Sequence, residues 1–341
     1  MKTITGTKCS KPAGQYCRLH NPAPANNNFT NVEDVFKKIE EKPSTKLENN
    51  PVFQTSKKVR ELPSDVPEKL EDHVELSRKN LTIYSEEQNK ALRSYTGFAA
   101  GICNTVLLGN EYKYYDDAPL WKETDVAFDF KNREDLIDYM ETMDEVLSHR
   151  EDNRRIIYRG IPIYSSLHDE IGASIGKKLH PKDTDGLMEG LKEYYKPGKI
   201  FNNKTYLSTS RSASVAAERT SNTIGTKQDY WNKAEVSGIM FELKTNAGVD
   251  VTGAAGVPYR REREVVLPRD TYFKVSNVIL KPTDYKTKSG YDKRNPDEYN
   301  EKTFNSMAVI VQMVEVDKDG NEITSNTKHV PEPSIETYLP K

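Results

Sequence analysis

From Thr205 onward this chain is written almost wholly as strands, whereas from Leu81 to about residue 195 it is written chiefly as helices. That order argues against an alternating βαβ sheet and for an α+β fold. The strand readings are Thr205-Tyr206-Leu207-Ser208, Val236–Leu243, Glu262–Leu267, Tyr272–Leu280 and Ala308–Val316, each apolar or alternating. Asp319-Gly320 suits a tight turn from the last strand to a short partner at 322–325. Ahead of them, Ser85-Glu86-Glu87-Gln88 carries a capping-box pattern that opens a helix running to Leu108, where Gly109-Asn110 stops it. Further helices are predicted over about 132–148 and 183–195, and Arg155–Arg159 reads as a strand ending at Gly160. No internal repeat is visible.

Three short polar pieces fall at the ends of predicted strands, at intervals of about fifty residues: Tyr158-Arg159-Gly160, Ser208-Thr209-Ser210 and Glu262-Arg263-Glu264. A guanidinium at a strand end can fork onto a phosphate, and a glycine beside it permits close backbone approach. Taken alone, Arg159 is better read as a structural ion pair. Hydroxyls closing a strand can hold a ribose, though Ser and Thr there commonly cap a helix. On a regular strand Glu262 and Glu264 point to one face and Arg263 to the other. Two carboxylates that close repel, and one pKa rises. A solvated edge strand is the plainer account of a Glu-x-Glu. Here Val265-Val266-Leu267 carries the strand into a core instead.

Composition limits the rest. The 341 residues hold 50 basic and 52 acidic side chains, so no global field favours nucleic acid or an anionic membrane. Only 35% are hydrophobic, and mean hydropathy is −0.79, so part of the chain is expected to lack a packed core. That part is residues 1–80, read as a polar leader or linker with short helices such as 32–41; residues 81–325 form the patterned domain and 326–341 an irregular tail. Apolar runs are far too short to span a bilayer. The first residues carry no signal-peptide core, which predicts synthesis in a cytoplasm with any onward delivery left to a specialised route.

Other sites fail on inspection. Gly172–Lys178 is one residue short of a phosphate loop and has Lys178 where Ser or Thr is needed. Asp317–Gly320 lacks the ligand spacing of a calcium loop. Cys9, Cys17 and His20 offer three zinc ligands without an evident fourth. Cys103 sits in an apolar helical pattern as a core residue.

Together these residues resemble the arginine-serine-glutamate class of mono-ADP-ribosyltransferases, a family that includes many bacterial toxins and bacteriophage enzymes. The resemblance covers roughly 81–316. It extends to Tyr95-Thr96 and Asn104 in the leading helix, Tyr259 ahead of the acidic pair, and Val265-Val266-Leu267-Pro268 after it. It implies a split, mainly antiparallel β-sandwich with helices at one side and NAD, the substrate, held in the cleft; no metal is required. Position by position, Arg159 with Gly160 would meet an NAD phosphate. Ser208 would position the nicotinamide ribose and Glu264, with Thr209 and Ser210 supporting it. Glu264 would stabilise the oxocarbenium ion, and Glu262 would act on the acceptor. A Glu at that first acidic position goes with arginine acceptors in the family. Tyr259 would touch the protein substrate, and Arg219 would add a second phosphate contact.

The implied partner is a target protein carrying an acceptor arginine, with no membrane involved. The leader would address the enzyme to a carrier, a virion or a partner. Three alternatives stay open: an NAD glycohydrolase with no specific acceptor, a binding module of the same fold that has lost catalysis, and transfer to nucleic acid, which basic segments such as Tyr259-Arg260-Arg261 keep in play.

Overall fold

The computed structural model describes residues 36–38, 67, 69–110, 132–163, 165–179, 183–220, 238–289, 302–324, 328–332 and 334–338. Local chemistry sets the helix boundaries. Ser85 and Gln88 exchange side-chain to backbone hydrogen bonds of 3.1 and 2.9 Å and start α2 (Glu86–Ser94). A π-helical turn at Tyr95–Ala99, kinked at Gly97, leads into α3 (Ala100–Leu107), which ends at Gly109 with φ +76°. Asn132 caps α4 (Arg133–Leu147), and Asp183 caps α6 (Thr184–Tyr194), each by accepting from a backbone N–H three residues on. α5 (Ser165–Ser174) and α7 (Ala213–Arg219) complete this set. Gly172 lies in the last turn of α5, so the rejected phosphate-loop pattern is the end of a helix and the turn after it.

Helix α1 (Leu70–Leu81) falls where a polar leader was expected. Its buried residues His73, Val74, Ser77 and Leu81 recur at helical spacing, with Glu71 and Asp72 in the first turn and Arg78 and Lys79 in the last. The proposed helix over 32–41 is not formed where the chain is described: Phe36–Lys38 is a strand, β1, paired with β3. The rest of that segment, and Cys9, Cys17 and His20, lie outside the described residues.

The remaining strands are β2 (Arg150–Pro162), β3 (Ile200–Asn203), β4 (Leu207–Ser210), β5 (Gly238–Ala247), β6 (Val249–Asp250), β7 (Glu264–Leu267), β8 (Thr271–Ser289) and β9 (Lys302–Val316). They hydrogen-bond in the order β1-β3-β8-β9-β5-β2-β4-β7-β6, all antiparallel except β5 with β9. After β9 the turn closes as expected. Gly320 takes φ +87°, Asp317 accepts from the N–H groups of Asp319 and Asn321, and Glu322 bridges back to Val316.

The ladder is continuous but thins to a single registered pair, Tyr158 with Ser210, between β2 and β4. That seam divides a three-stranded half, β4-β7-β6, from the larger half. Leu207, Val265 and Leu267 of the small half share one core with Ile157, Phe241, Leu243, Phe273 and Val311 of the large half and with Leu187 and Leu191 of α6. Tyr206, Val249 and Val266 face the other way, into a second core with Leu92, Tyr95, Cys103, Leu136, Met140 and Met143 of the helical layer. The fold is therefore α+β, a split and mainly antiparallel β-sandwich whose N-terminal helices cover the small half, while α6 and α7 pack elsewhere on the strands instead of on that one side. The tail expected from residue 326 is irregular but docked: Ile335 is buried in the second core, and the His329 N–H donates to the Ser148 carbonyl.

Candidate active site

Arg159, Ser208 and Glu264 come from strands on the two sides of the seam. Arg159 leaves β2 beside its partner Phe241 of β5, and its Nη1 donates to the Ser208 carbonyl at 2.6 Å across the junction. Ser208 lies opposite Val266, and Ser210 opposite Glu264. Alternation therefore puts Ser208, Ser210 and Glu264 on one face, with Tyr206 and Val266. On that face the Ser208 hydroxyl lies near the Glu264 carboxylate and favours its charged form. Thr209 points the opposite way and donates to the Val265 carbonyl at 2.7 Å, while Ser210 donates to the Glu262 carbonyl at 2.6 Å. The Thr209 and Ser210 hydroxyls thus clamp β4 to the glutamate-bearing segment.

The helical layer reaches this face through side chains to which the triplets alone gave no role. Tyr95, fully buried, donates to the Tyr206 carbonyl at 3.0 Å, as does the Asn104 amide at 3.2 Å. Burial followed by the nearby Glu264 charge raises the Tyr95 phenol pKa, with Ser208 and Asn104 acting against the rise. Tyr206 in turn donates to the Met140 carbonyl and to Asp144, each at 2.8 Å, and Asp144 takes a forked pair from Arg269 beyond β7. Both strands that carry the site are therefore tied to α4. The signal for Tyr95 was present in the Tyr95-Thr96 pair, which came into view only through resemblance.

The acidic pair is not built as predicted. Glu262 ends a 3-10 turn (Val257–Glu262) instead of opening the strand, and Arg263 follows in the left-handed region at φ 45°, ψ 48°. Only Glu264 belongs to β7. Two successive residues off the strand path replace the alternation that was to align the carboxylates. A non-glycine residue in that backbone region costs roughly 1–2 kcal/mol, which the surrounding structure must hold. The carboxylates still interact. Glu264 is 7% exposed, and its pKa is pushed up to about 7. Burial is the main cause; the Ser208 hydroxyl opposes it, the Glu262 charge adds to it, and Arg219 and Arg159 oppose it. Glu262 is more open and accepts from Arg219 Nη2 at 2.5 Å. Arg219 thus stands at the acidic pair, on α7. Tyr259 lies in the same 3-10 turn.

Gly160 has a packing reason. A Cβ there would stand 1.7 Å from the Ala216 carbonyl oxygen of α7, so the close approach it permits is that of the helix carrying Arg219. Gly160→Ala is expected to displace α7 and cost at least about 1–3 kcal/mol, read as a lower thermal melting midpoint. An unchanged midpoint would mean that α7 is not held against β2.

Among the described residues no three His, Cys, Asp or Glu side chains gather in a way that could hold a metal ion, and no helix is long and apolar enough to cross a membrane.

Comparison with known proteins bears on this arrangement. No curated protein sequence matched the chain significantly. Solved structures with a similar path include Plx2a, an ADP-ribosyltransferase toxin from Paenibacillus larvae, at 17% identity and a TM-score of 0.41, covering 73% of this chain and 96% of that one. The Clostridium limosum C3 exoenzyme follows at 14% identity and 0.40, covering 74% and 96%. The Vis toxin, an ADP-ribosyltransferase from Vibrio splendidus, gives 13% identity and 0.40, covering 74% and 91%. These superpositions are loose; membership is decided by a sequence match to the ADP-ribosyltransferase exoenzyme family over residues 54–297, which takes in Arg159, Ser208, Glu262 and Glu264. The chain belongs to the ADP-ribosyltransferase exoenzyme family, transferases that use NAD as substrate.

Proposed function

We propose that this enzyme transfers ADP-ribose from NAD to an arginine of a target protein and releases nicotinamide, a pentosyl transfer. The observation that carries the proposal is the convergence at the seam: a guanidinium (Arg159), a hydroxyl (Ser208) and a buried carboxylate (Glu264), with a second, more open carboxylate (Glu262) beside them. In this assignment Arg159 meets an NAD phosphate, joined by Arg219 once substrate competes for its pairing with Glu262. Ser208 holds the nicotinamide ribose and orients Glu264.

The bond from C1′ of the ribose to the pyridinium nitrogen breaks, its electron pair leaves with nicotinamide, and positive charge builds on the ribose ring. Glu264 stabilises that charge as a fixed carboxylate at low dielectric. The acceptor guanidinium, protonated at neutral pH, is a poor nucleophile. Glu262 orients it and takes a proton as the new C1′–N bond forms. Tyr259, on the same turn, would touch the target protein. Transfer to nucleic acid gains nothing from a net charge of −2.

The assignment has a pH signature. Glu264 must be ionised to act, so kcat/KM for NAD is expected to fall below about pH 7, where the carboxyl protonates. A flat profile between pH 5 and 8 would deny Glu264 this role.

The direct test is incubation of labelled NAD with the protein and a lysate, beside the small guanidine agmatine as sole acceptor. Protease-sensitive labelled bands together with agmatine labelling are expected. NAD loss with neither would indicate water as the acceptor, and label removed by RNase would indicate nucleic acid.

A further inference from the structure

Arg263 separates the two glutamates, and its side chain turns away from them into helix α1. It is 8% exposed; its Nη1 donates to the Pro67 carbonyl at 2.6 Å and lies 3.3 Å from Nδ1 of His73, itself 2% exposed. The other ring nitrogen of His73 lies 2.7 Å from Oδ2 of Asp250. One tautomer serves both contacts: Nε2–H donates to Asp250, and Nδ1 accepts from Arg263. Asp250 is in β6, opposite Val265 of β7, and the Val251 N–H donates to the Glu264 carbonyl at 2.9 Å. The contacts therefore form a closed circuit, from Arg263 through α1 and β6 back to the strand that holds Glu264.

The helix end of the circuit is firmly seated. Ser77 donates to the Asp250 carbonyl and accepts from the Gly253 N–H, and a Cβ on Gly253 would stand 2.6 Å from the Arg78 nitrogen. On the catalytic side, Glu264 is pinned independently by its ladder with Ser210. Glu262 lies off that ladder, held by Ser210 at its carbonyl and by Arg219 at its carboxylate. Its direction relative to Glu264 depends on the left-handed backbone of Arg263, a conformation glycine or asparagine would ordinarily supply.

We propose that Arg263, anchored by Pro67 and His73 of the α1 segment, is a positioning residue that sets where Glu262 stands relative to Glu264, and so governs acceptor transfer more than NAD cleavage. This rests on the roles proposed above for the two glutamates. It also makes α1 part of the catalytic unit, although the helix precedes the expected boundary at residue 81.

The test uses the full chain and variants His73→Ala, Arg263→Gly and Arg263→Lys. Two rates are read on each sample: NAD hydrolysis without acceptor, and transfer to agmatine. Their ratio is independent of the folded fraction. It is expected to fall about tenfold in His73→Ala and Arg263→Gly and to recover largely in Arg263→Lys. The acid limb of hydrolysis should also move to lower pH in His73→Ala, as Glu262 withdraws from Glu264. An unchanged ratio with an unmoved limb overturns the proposal and leaves α1 a merely structural helix. If the wild type hydrolyses NAD but ignores agmatine, the arginine assignment fails, and the acid limb still decides for or against the anchor. If the wild type cleaves no NAD, the proposed function falls and this inference falls with it.

Discussion

Glu264→Gln is expected to reduce NAD hydrolysis and acceptor transfer alike, each by about a thousandfold. The amide keeps a hydrogen-bonding oxygen for Ser208 but not the charge that meets the forming oxocarbenium ion. Stability provides the control. The folded-state pKa of Glu264 is about 7, raised chiefly by burial, against roughly 4.3 for an unfolded Glu. The folded state therefore favours the protonated form. The group's contribution to stability is present in full below about pH 4.3 and is lost as pH rises through about 7. At pH 8 the ionised carboxylate costs on the order of 3 kcal/mol, which a neutral glutamine removes. The variant should melt no lower than wild type at pH 8, and higher if Gln keeps the Ser208 contact. An inactive variant that also melts low would assign the loss to damage instead of chemistry.

Glu262→Gln should divide the two reactions. Transfer to agmatine is expected to fall by about a hundredfold or more, the usual worth of a positioned base, while hydrolysis stays within a few-fold of wild type. Arg219 loses its partner, but that pair is half exposed, and such pairs contribute little to stability. The acid limb of hydrolysis should move down from about pH 7, because a like charge near Glu264 is gone; burial, the larger cause, keeps it above the ordinary range. Equal loss in both reactions would sink the acceptor role.

What the sequence made legible was local. Ser85 with Gln88, Asn132 and Asp183 announce their helices because each cap is satisfied within three residues. β2, β4, β5, β7, β8 and β9 follow from apolar or alternating runs, whereas the short β1, β3 and β6 carried no such signal. Glu262 was misplaced because Glu-Arg-Glu-Val-Val-Leu reads as one extended run. Pro258, two residues after Gly256, was the available sign of a turn. The left-handed Arg263 had no local sign: its anchor, Pro67, lies 196 residues away. Gly160 was legible as a residue of close approach, but not for what approaches, since Ala216 reaches it only through the tertiary fold. Helix α1 was hidden by the polar composition around it, although Val74, Ser77 and Leu81 share one face and its end charges match the helix dipole.

The seam between β2 and β4 has a consequence for how activity appears as the chain folds. Arg159 meets Ser208 across 49 residues of sequence, and Ser210 meets the Glu262 carbonyl across 52. Each contact closes a long loop before it returns any stabilisation, and pairings of that kind form late. No single hairpin contains the cation, the hydroxyl and the carboxylate. Under the roles proposed for these residues, a nascent, threaded or partly denatured chain is expected to be chemically silent toward NAD, with nicotinamide release during refolding beginning only when the two halves of the sandwich join.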